Sequence, residues 1–506
     1  MKGTKVHVNP LISGFHPDPS VCRVGDTYYL ATSTFEYLPG IPIFRSTDLR
    51  GVELIGHVAT RPGQLGTPGV PTGGGTWAPT IRHHDGRFWL VVPDMMGTGR
   101  GNVLFTADDP AGPWSDGVVM EVPGIDPDIA WGDDGTCYVT ASFLRLDADG
   151  GMVHEGIKQI KLDPHTGKAL EAEPRQLWSG TGGMFPEAPH LYHIGDYWYL
   201  MIAEGGTERG HAVTIARSTS PEGPFEGCPH NPLVTARGTD RPVQNSGHGD
   251  LVELTDGSWA MVLLGTRPRS STRAFAPMGR ETFVTEVTWD DAGWPHAEPV
   301  LLDERHAPVE KHWTPADGID GEFLAIRQFP GDVADLASRP GAVRLTGPGW
   351  GMEALKPAFL GLRQCAEEFE ATVELDVSAG VGGLSMRYDE HAHLDLEATV
   401  TQVRATMHAY GLTQSWTHAR TNPGPLVRLR IAAVPPQAAG IDMAASCDRL
   451  SAGVLDGDWV EVGAVDGRFL SAEVCESFTG RVVGAYARDG VVDLLALDYT
   501  GQDVQR

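Results

Sequence analysis

Five widely separated residues in the first 250 positions have side chains that could act together in one reaction. Three are acids, one is an indole and one is an imidazole: Asp18, Trp77, Asp126, Glu187 and His248. Two carboxyl groups that flank a glycosidic bond can hydrolyse it, one by protonating the leaving oxygen and the other by activating water or attacking the sugar. An indole offers a flat apolar face for a sugar ring. If these side chains share a cavity, their combined chemistry is that of glycoside hydrolysis.

The spacing of the five residues indicates that they occupy equivalent positions in a repeat. Each begins the same layout, which is a short apolar strand, a turn that contains Gly or Asp, and a second strand rich in aromatic residues. The five turns begin at residues 25, 85, 134, 195 and 256, so that the period is 49 to 61 residues. Gly and Asp tolerate the backbone of two-residue hairpins, and hairpin units at such a period predict a propeller or an array.

A propeller would bring the five residues together. Each blade of a propeller is a small antiparallel sheet whose first strand lines the central channel, and each of the five residues leads into a first strand. A purely structural channel would more often be lined by small or apolar side chains. The alternative interpretation is that the acids solvate a water-filled channel or bind an ion.

Length and composition predict an all-β protein of two domains. The chain has 506 residues with 63 glycines and 37 prolines, and long helical periodicities are few. We predict a five-bladed β-propeller over residues 1–305, a linker over 306–325 and a C-terminal, concanavalin-like β-sandwich over 326–506. Residues 369–377 alternate between apolar and polar side chains, as a half-buried strand does.

The net charge of the chain limits the classes of molecule that we expect it to bind. A formal net charge of −27 repels phosphate backbones and anionic lipid surfaces, so we expect no nucleic acid and no membrane as partner, and a neutral substrate. No stretch of 18 apolar residues and no signal peptide is evident. The six cysteines are far apart and without metal-ligand spacing, which favours free thiols and a cytoplasmic location. The oligomeric state is left open, a homo-oligomer included.

Four side chains carry more specific hypotheses. Glu187 lies in MFPEAPHLY, whose apolar residues would desolvate its anion and raise its pKa, as a general acid requires. Phe35 lies in a loop and could form a sugar platform or only pack between blades. Arg280 could reach the carboxylates or form a surface ion pair. His248 could hydrogen-bond the substrate or ligate a hydrated cation in the channel, roles that we favour over catalysis.

Six motifs in order resemble family 43 of the glycoside hydrolases, and most of all its two-domain β-xylosidase and α-L-arabinofuranosidase branch. They are GFHPDPSVCRVGDTYYLATSTFEYLPG, GGTWAPTIRHHDG, GIDPDIAW, PEAPHLY, GHGDLVE and GRETF. The similarity is strong from residue 8 to about 290. The C-terminal part is similar in kind to the β-sandwich of that branch, including the FTG segment at 478–480.

The resemblance implies an inverting, exo-acting hydrolase that releases terminal β-D-xylosyl or α-L-arabinofuranosyl residues from short oligosaccharides. In it, Asp18 would be the general base, Glu187 the general acid, and Asp126 the group that orients Glu187 and modulates its pKa. The resemblance also implies that no cofactor is required, although some family members hold Ca²⁺ near the position of His248. The subsite for the terminal sugar would be lined by Phe35, Trp77, Thr207, His248 and Arg280, with Phe478 closing it from the second domain.

One departure and two alternatives stay open at this point. The family usually has Gly after the acid and a small polar residue before it, whereas this chain has Ala188 and the run Met184, Phe185 and Pro186. These residues could reshape the side that receives the leaving group, so the choice between xylose and arabinose is left open. The alternatives are a retaining, sucrose- or fructan-cleaving propeller and a non-catalytic propeller that binds sugar.

Overall fold

The computed structural model describes residues 8–146, 152–269, 274–303, 307–319, 321–435 and 447–504. Five sheets of four or five strands follow one another along the chain, and a twelve-stranded sheet comes after them. This arrangement confirms the all-β fold, with a five-bladed propeller followed by a C-terminal β-sandwich.

The five blades follow the predicted repeat. The first contains β1 (Ser20–Val24), β2 (Thr27–Ala31), β4 (Gly40–Ser46) and β5 (Glu53–Ala59), while β3 (Tyr37–Leu38) lies outside it. The second contains β6 (Gly75–Thr76), β7 (Thr80–His84), β8 (Arg87–Met95), β9 (Gly101–Ala107) and β10 (Val118–Val119). The third contains β11 (Ile125–Trp131), β12 (Cys137–Leu146), β13 (Met152–Asp163), β14 (Lys168–Ala169) and β15 (Arg175–Trp178). The fourth contains β16 (Glu187–Ile194), β17 (Tyr197–Glu204), β18 (Ala212–Ser218), β19 (Glu226–Gly227) and β20 (Val234–Thr235). The fifth contains β21 (Gln244–Glu253), β22 (Trp259–Thr266), β23 (Glu281–Trp289) and β24 (Pro295–Ala297).

Apolar packing between neighbouring blades holds the propeller together. One buried cluster lies at each junction, because alternate side chains of a strand point to opposite faces of its sheet. The junction of the fifth and first blades is closed by the N-terminal segment. There the backbone of Ile12 pairs with that of Thr282, and the side chain of Asn9 exchanges two hydrogen bonds of 2.8 Å with the backbone of Val284.

The C-terminal domain is built around two long strands, β30 (Glu368–Asp389) and β37 (Val482–Gln502), which pair with each other. Residues 369–377 lie in β30 as a strand, with Phe369, Val373 and Leu375 buried as predicted, but Thr372 and Asp376 are buried as well, so this strand is covered more fully than its alternation predicts. The α-helices are single turns, α1 (Pro330–Val333) and α2 (Ala472–Cys475). Within the described ranges, no helix has the length and apolar character needed to cross a bilayer. The strands are β25 (Val309–Trp313), β26 (Ala325–Ile326), β27 (Ala334–Asp335), β28 (Val343–Pro348), β29 (Ala358–Arg363), β30 (Glu368–Asp389), β31 (Ala392–Ala398), β32 (Gln402–Ala409), β33 (Leu412–Ala419), β34 (Leu426–Val434), β35 (Arg449–Asp456), β36 (Asp458–Asp466) and β37 (Val482–Gln502).

The two domains are joined by more than the segment predicted as a linker. That segment contains β25, which pairs with β37 in the C-terminal sheet, and it runs into β26, which pairs with β3 beside the first blade. A buried aromatic cluster that includes Phe35, Tyr37 and Phe359 lies across the contact. The domain boundaries themselves stay a prediction, but the C-terminal domain lies directly against the loop that carries Phe35.

Candidate active site

One cavity of about 350 Å³ lies at the end of the channel where the inner strands begin. It collects all nine residues predicted for the site, and five that sequence reasoning did not place there, Ala78, Ile125, His154, Gly206 and Glu208. Phe185, named only as a departure, also lines it. A larger open cleft of about 800 Å³, between the second and third blades, contains none of the five repeated residues. The predicted residues in the cavity are Asp18, Phe35, Trp77, Asp126, Glu187, Thr207, His248, Arg280 and Phe478.

Irregular backbone turns the leading side chains toward the cavity. Asp18, Asp126 and His248 all have left-handed backbone, with φ of 56°, 52° and 49°. The register of β11 shifts between Ile125 and Asp128, and that of β21 shifts on either side of His248. A β-bulge of this kind re-aims a side chain that regular alternation would direct elsewhere. Left-handed conformations are costly for residues other than glycine and are found where function requires them.

Asp18 is held as a hydrogen-bonded carboxylate. Arg280 Nη1 donates to its Oδ1 at 2.8 Å and the hydroxyl of Ser33 donates to its Oδ2 at 2.5 Å. Arg280 is itself fixed, because it donates to Thr207 Oγ1 at 3.2 Å and to the carbonyl of Phe478 at 3.1 Å. The hydrogen bond from the guanidinium is charge-assisted and therefore stronger than a neutral one. The carboxyl group of Asp18 is therefore held in one orientation at the cavity.

The surroundings of Glu187 and Asp126 raise the pKa values of their carboxyl groups. Burial raises the pKa of Glu187 well above its usual value, and the negative charges of Asp126 and Asp18 add to that effect. Burial and the charge of Asp18 raise the pKa of Asp126 to about 7. The backbone N–H of Ala188 donates to Asp126 Oδ2 at 3.2 Å, which joins the third blade to the strand of Glu187. Carboxyl groups whose environments separate their pKa values can serve as acid and base at one pH.

Aromatic rings cover the carboxylates from both domains. Phe35 of the propeller and Phe478 of the β-sandwich stack with their centroids 6.1 Å apart and their planes at 13°. The guanidinium of Arg280 lies 5.3 Å from the centre of the Phe478 ring. Trp77 is oriented by a hydrogen bond of 2.8 Å from its Nε1 to the carbonyl of Gly73. Phe35 packs in the aromatic cluster at the C-terminal domain and also lines the cavity, and its role as a sugar platform stays a prediction.

The protein groups around His248 offer a calcium ion few ligands, so that most of its ligands would have to be water. Burial lowers the pKa of His248 to about 3, and its Nδ1 lies 3.7 Å from Asp18 Oδ1. The other charged or titratable groups that act on it are His190, His211 and Arg280. Ca²⁺ takes six to eight oxygen ligands, whereas these groups supply nitrogen or positive charge, and the oxygens of Asp18 already accept from Arg280 and Ser33. Among the described residues, His and carboxylate groups close enough to share an ion lie elsewhere, in the sets His230, Asp290, His296 and His393, Asp395, His408.

Comparison with known proteins shows which protein family the chain and its three acids match. Residues 7–295, which carry all three acids, match the sequence pattern described as Glycosyl hydrolases family 43. The chain belongs to this family. Residues 316–493 match a second pattern, described as the beta xylosidase C-terminal concanavalin A-like domain. The resemblance seen in the six motifs is thus confirmed, together with the nature of the second domain.

Relatives of the chain match most of its length. It is 40% identical over 429 residues to a non-reducing end α-L-arabinofuranosidase of Bacteroides ovatus, which covers 80% of this chain and 79% of the relative. It is 37% identical over 418 residues to a xylosidase/arabinosidase of Butyrivibrio fibrisolvens, with 77% and 79% covered. A solved xylan β-1,4-xylosidase from Bacillus halodurans is 30% identical and superimposes with a TM-score of 0.85, over 97% of this chain and 99% of that one.

As a member of family 43, the protein is an exo-acting glycoside hydrolase that works on oligosaccharides. The relatives favour this function over the two alternatives, a sucrose- or fructan-cleaving propeller and a non-catalytic one. The departure from the family pattern on either side of Glu187 is also visible in the structure. Ala188 takes a left-handed φ of 52°, which glycine adopts more readily, and Phe185 places a ring that is 41% exposed at the cavity, 5.0 Å from His154.

Proposed function

We propose that this family 43 enzyme hydrolyses the non-reducing terminal β-D-xylosyl or α-L-arabinofuranosyl residue of short oligosaccharides, with inversion of configuration. One observation carries the proposal. A carboxylate held by Arg280 and a carboxyl group with a raised pKa, Glu187, line the same cavity under aromatic rings. The relatives include an arabinofuranosidase and a xylosidase/arabinosidase, which supports xylose or arabinose as the sugar released.

In the proposed mechanism the three acids have separate roles. Asp18 accepts a proton from a water molecule as its oxygen attacks the anomeric carbon. Glu187 gives its proton to the glycosidic oxygen as that bond breaks. Asp126 keeps Glu187 protonated by its charge and orients it through the N–H of Ala188. Exchange with solvent then moves the proton from Asp18 and returns one to Glu187. A direct attack by water in a single step inverts the anomeric centre.

The aromatic cover of the cavity supports action on a terminal sugar. Phe478 and Phe35 cover one side, and below the acids the channel is filled by side chains, Arg82 among them. This arrangement favours a site for one terminal unit over a groove for a continuous polymer. We place the enzyme in the cytoplasm, acting on oligosaccharides after their uptake and without a bound cofactor. The negative net charge of the chain supports a neutral oligosaccharide as its partner over nucleic acid or a membrane surface. Whether it forms a homo-oligomer can be measured by light scattering.

The proposal is tested with a panel of nitrophenyl glycosides, each assayed with and without a chelator. We expect turnover of the β-D-xylopyranoside, the α-L-arabinofuranoside or both, unaffected by the chelator. Proton NMR of the first sugar released from the preferred substrate should show the inverted anomer. No turnover of either glycoside, or a retained anomer, would contradict the proposed reaction.

Replacing Phe478 by alanine is expected to raise KM for a short oligosaccharide about tenfold, because the ring contributes apolar contact and stacking on Phe35. Stability should hardly change, since Phe478 is 44% exposed. Steady-state kinetics and thermal unfolding check both statements. Phe469→Ala is the matched control, because Phe469 is 38% exposed on the same domain and does not line the cavity. A lower Tm with KM unchanged would assign Phe478 to domain packing.

Replacing Asp126 by asparagine is expected to move the basic limb of the pH profile of kcat/KM to lower pH. Glu187 must be protonated to act, so activity is lost as pH rises through its pKa. The charge of Asp126 is the second cause of that raised pKa, after burial, and Asp126→Asn removes it.

The exposed Glu208, whose charge raises the same pKa by less, provides the comparison for Asp126. Glu208→Gln should move the basic limb in the same direction and less far. A limb that stays in place in Asp126→Asn would show that Asp126 does not set the pKa of the acid.

A further inference from the structure

A single guanidinium below the cavity contacts all four other blades. Arg82 belongs to β7, the inner strand of the second blade. Its Nη1 donates to Asp250 Oδ2 of the fifth blade at 2.7 Å and to Ser20 Oγ of the first blade at 3.3 Å. Its Nη2 donates to Asp128 Oδ1 of the third blade at 2.8 Å and to His190 Nδ1 of the fourth blade at 2.9 Å. Arg82 is therefore a point at which the inner strands of all five blades meet.

The position of these contacts along the chain links them to the active site. Ser20, Asp128 and Asp250 each lie two residues after a leading residue of the repeat, namely Asp18, Asp126 and His248. His190 lies three residues after Glu187, with the bulge of β16 between them. The contacts of Arg82 thus fall on the regular strand next to each irregular segment that aims a side chain into the cavity.

Additional hydrogen bonds join the groups around Arg82 to one another. Asp128 Oδ2 accepts from the backbone N–H of Leu191 at 2.9 Å, which connects the strands that carry Asp126 and Glu187. Asp250 accepts from Ser20 Oγ at 2.7 Å and from the hydroxyl of Tyr192 at 2.5 Å. The network connects the first, third, fourth and fifth blades through carboxylates that all face one cation.

The charges in this network depend on Arg82. The side chains of Asp128 and Asp250 are both 0% exposed, and that of Arg82 is 15% exposed. Two buried carboxylates with no cation between them would repel each other and lose their solvation, so removal of one partner of such a pair is strongly unfavourable. The guanidinium is a cation that belongs to the chain itself. It occupies the carboxylates that a metal ion in the channel would need as ligands.

We propose that Arg82 is the positioning residue of the catalytic site, and that its guanidinium is the cation of the channel. It sets the relative positions of Asp18, Asp126 and Glu187 by holding the strand beside each of them, and it makes a divalent ion unnecessary there. This inference rests on the proposed function, because it concerns the geometry of the same three acids.

The test compares Arg82→Ala and Arg82→Lys with wild type on whichever glycoside the wild type cleaves. Misplacement of catalytic groups by about 1 Å lowers turnover by about 100-fold, so Arg82→Ala should lose about 100-fold in kcat. KM should stay near its wild-type value, because the aromatic walls and Arg280 are unchanged. The basic limb should also stay in place, because Arg82 is not among the charged groups that shift the pKa of Glu187. The kcat of Arg82→Lys should lie between that of Arg82→Ala and that of wild type.

Rescue separates a positioning role from a merely structural one. Guanidinium ion at a non-denaturing concentration should restore part of the kcat of Arg82→Ala, and it should not activate wild type or Arg82→Lys. Arg87→Ala is the matched control, since Arg87 lies on the next strand with its side chain 46% exposed and forms an ion pair with the surface acid Asp108. It should retain wild-type kcat.

Several results would overturn the inference. One is a folded Arg82→Ala that keeps kcat within a few fold of wild type, and another is activation of the wild type by Ca²⁺ or its loss of activity in a chelator. If Arg82→Ala does not fold, as judged by circular dichroism, Arg82→Lys and Asp250→Asn carry the test, and wild-type kcat in both refutes it. Inactivity of the wild type on every glycoside would instead refute the proposed function, because the ratio of variant to wild type is then undefined.

Discussion

Asp18→Asn is expected to reduce kcat by about 10³- to 10⁴-fold on every substrate, whatever its leaving group, which is the upper range for the loss of a general base. The amide cannot take a proton from water, so the nucleophile is lost in all reactions alike. Binding should change less, because Phe35, Trp77 and Phe478 still line the cavity. Steady-state kinetics on an aryl glycoside and on a disaccharide measure the loss.

Azide provides a sharper version of the Asp18 experiment. This anion needs no base, so it should restore release of the aglycone by Asp18→Asn and form a glycosyl azide of inverted configuration. A retained glycosyl azide would indicate a covalent intermediate on a group other than Asp18. Asp108→Asn, at an acid in a surface pair with Arg87, is the control and should behave as wild type. Losses that differ strongly between the two leaving groups would argue against Asp18 as the base.

The fold could be predicted because its information is local. Each hairpin is specified by its own turn and its own apolar alternation, and tight turns occur at 25–26, 85–86 and 195–196 as the repeat indicates. The predicted linker shows the limit of this reasoning. β25 pairs with β37, almost 190 residues away, and nothing in the short alternation of its five residues specifies that partner.

The site could be predicted as a set of residues and not as a geometry. Asp18, Asp126 and His248 all take left-handed backbone, which no local sequence signal announces for acids or histidine. Register shifts depend on how each strand packs against the next blade. The role of Arg82 was likewise hidden, because its segment IRHH is typical of any strand. Its contacts exist only after the ring of blades is closed, and they join residues up to 168 positions apart.

Glu187→Gln is expected to separate substrates by their leaving groups. A sugar leaving group must be protonated as it departs, so kcat on xylobiose should fall on the order of 10³-fold. A nitrophenolate departs without a proton, so kcat on the aryl xyloside should fall by only about tenfold or less. The pH profile on the aryl substrate should also lose its basic limb, because the group whose raised pKa defines that limb has been removed.

This contrast distinguishes the acid from the base and from a merely structural carboxyl group. Asp18→Asn and Glu187→Gln remove the same kind of side chain from the same cavity, yet only the second should depend on the leaving group. A structural role for Glu187 predicts equal losses on both substrates together with a lower Tm. An acid role predicts unequal losses, an unchanged Tm and the missing basic limb, because the raised pKa places the proton of Glu187 where the departing oxygen needs it.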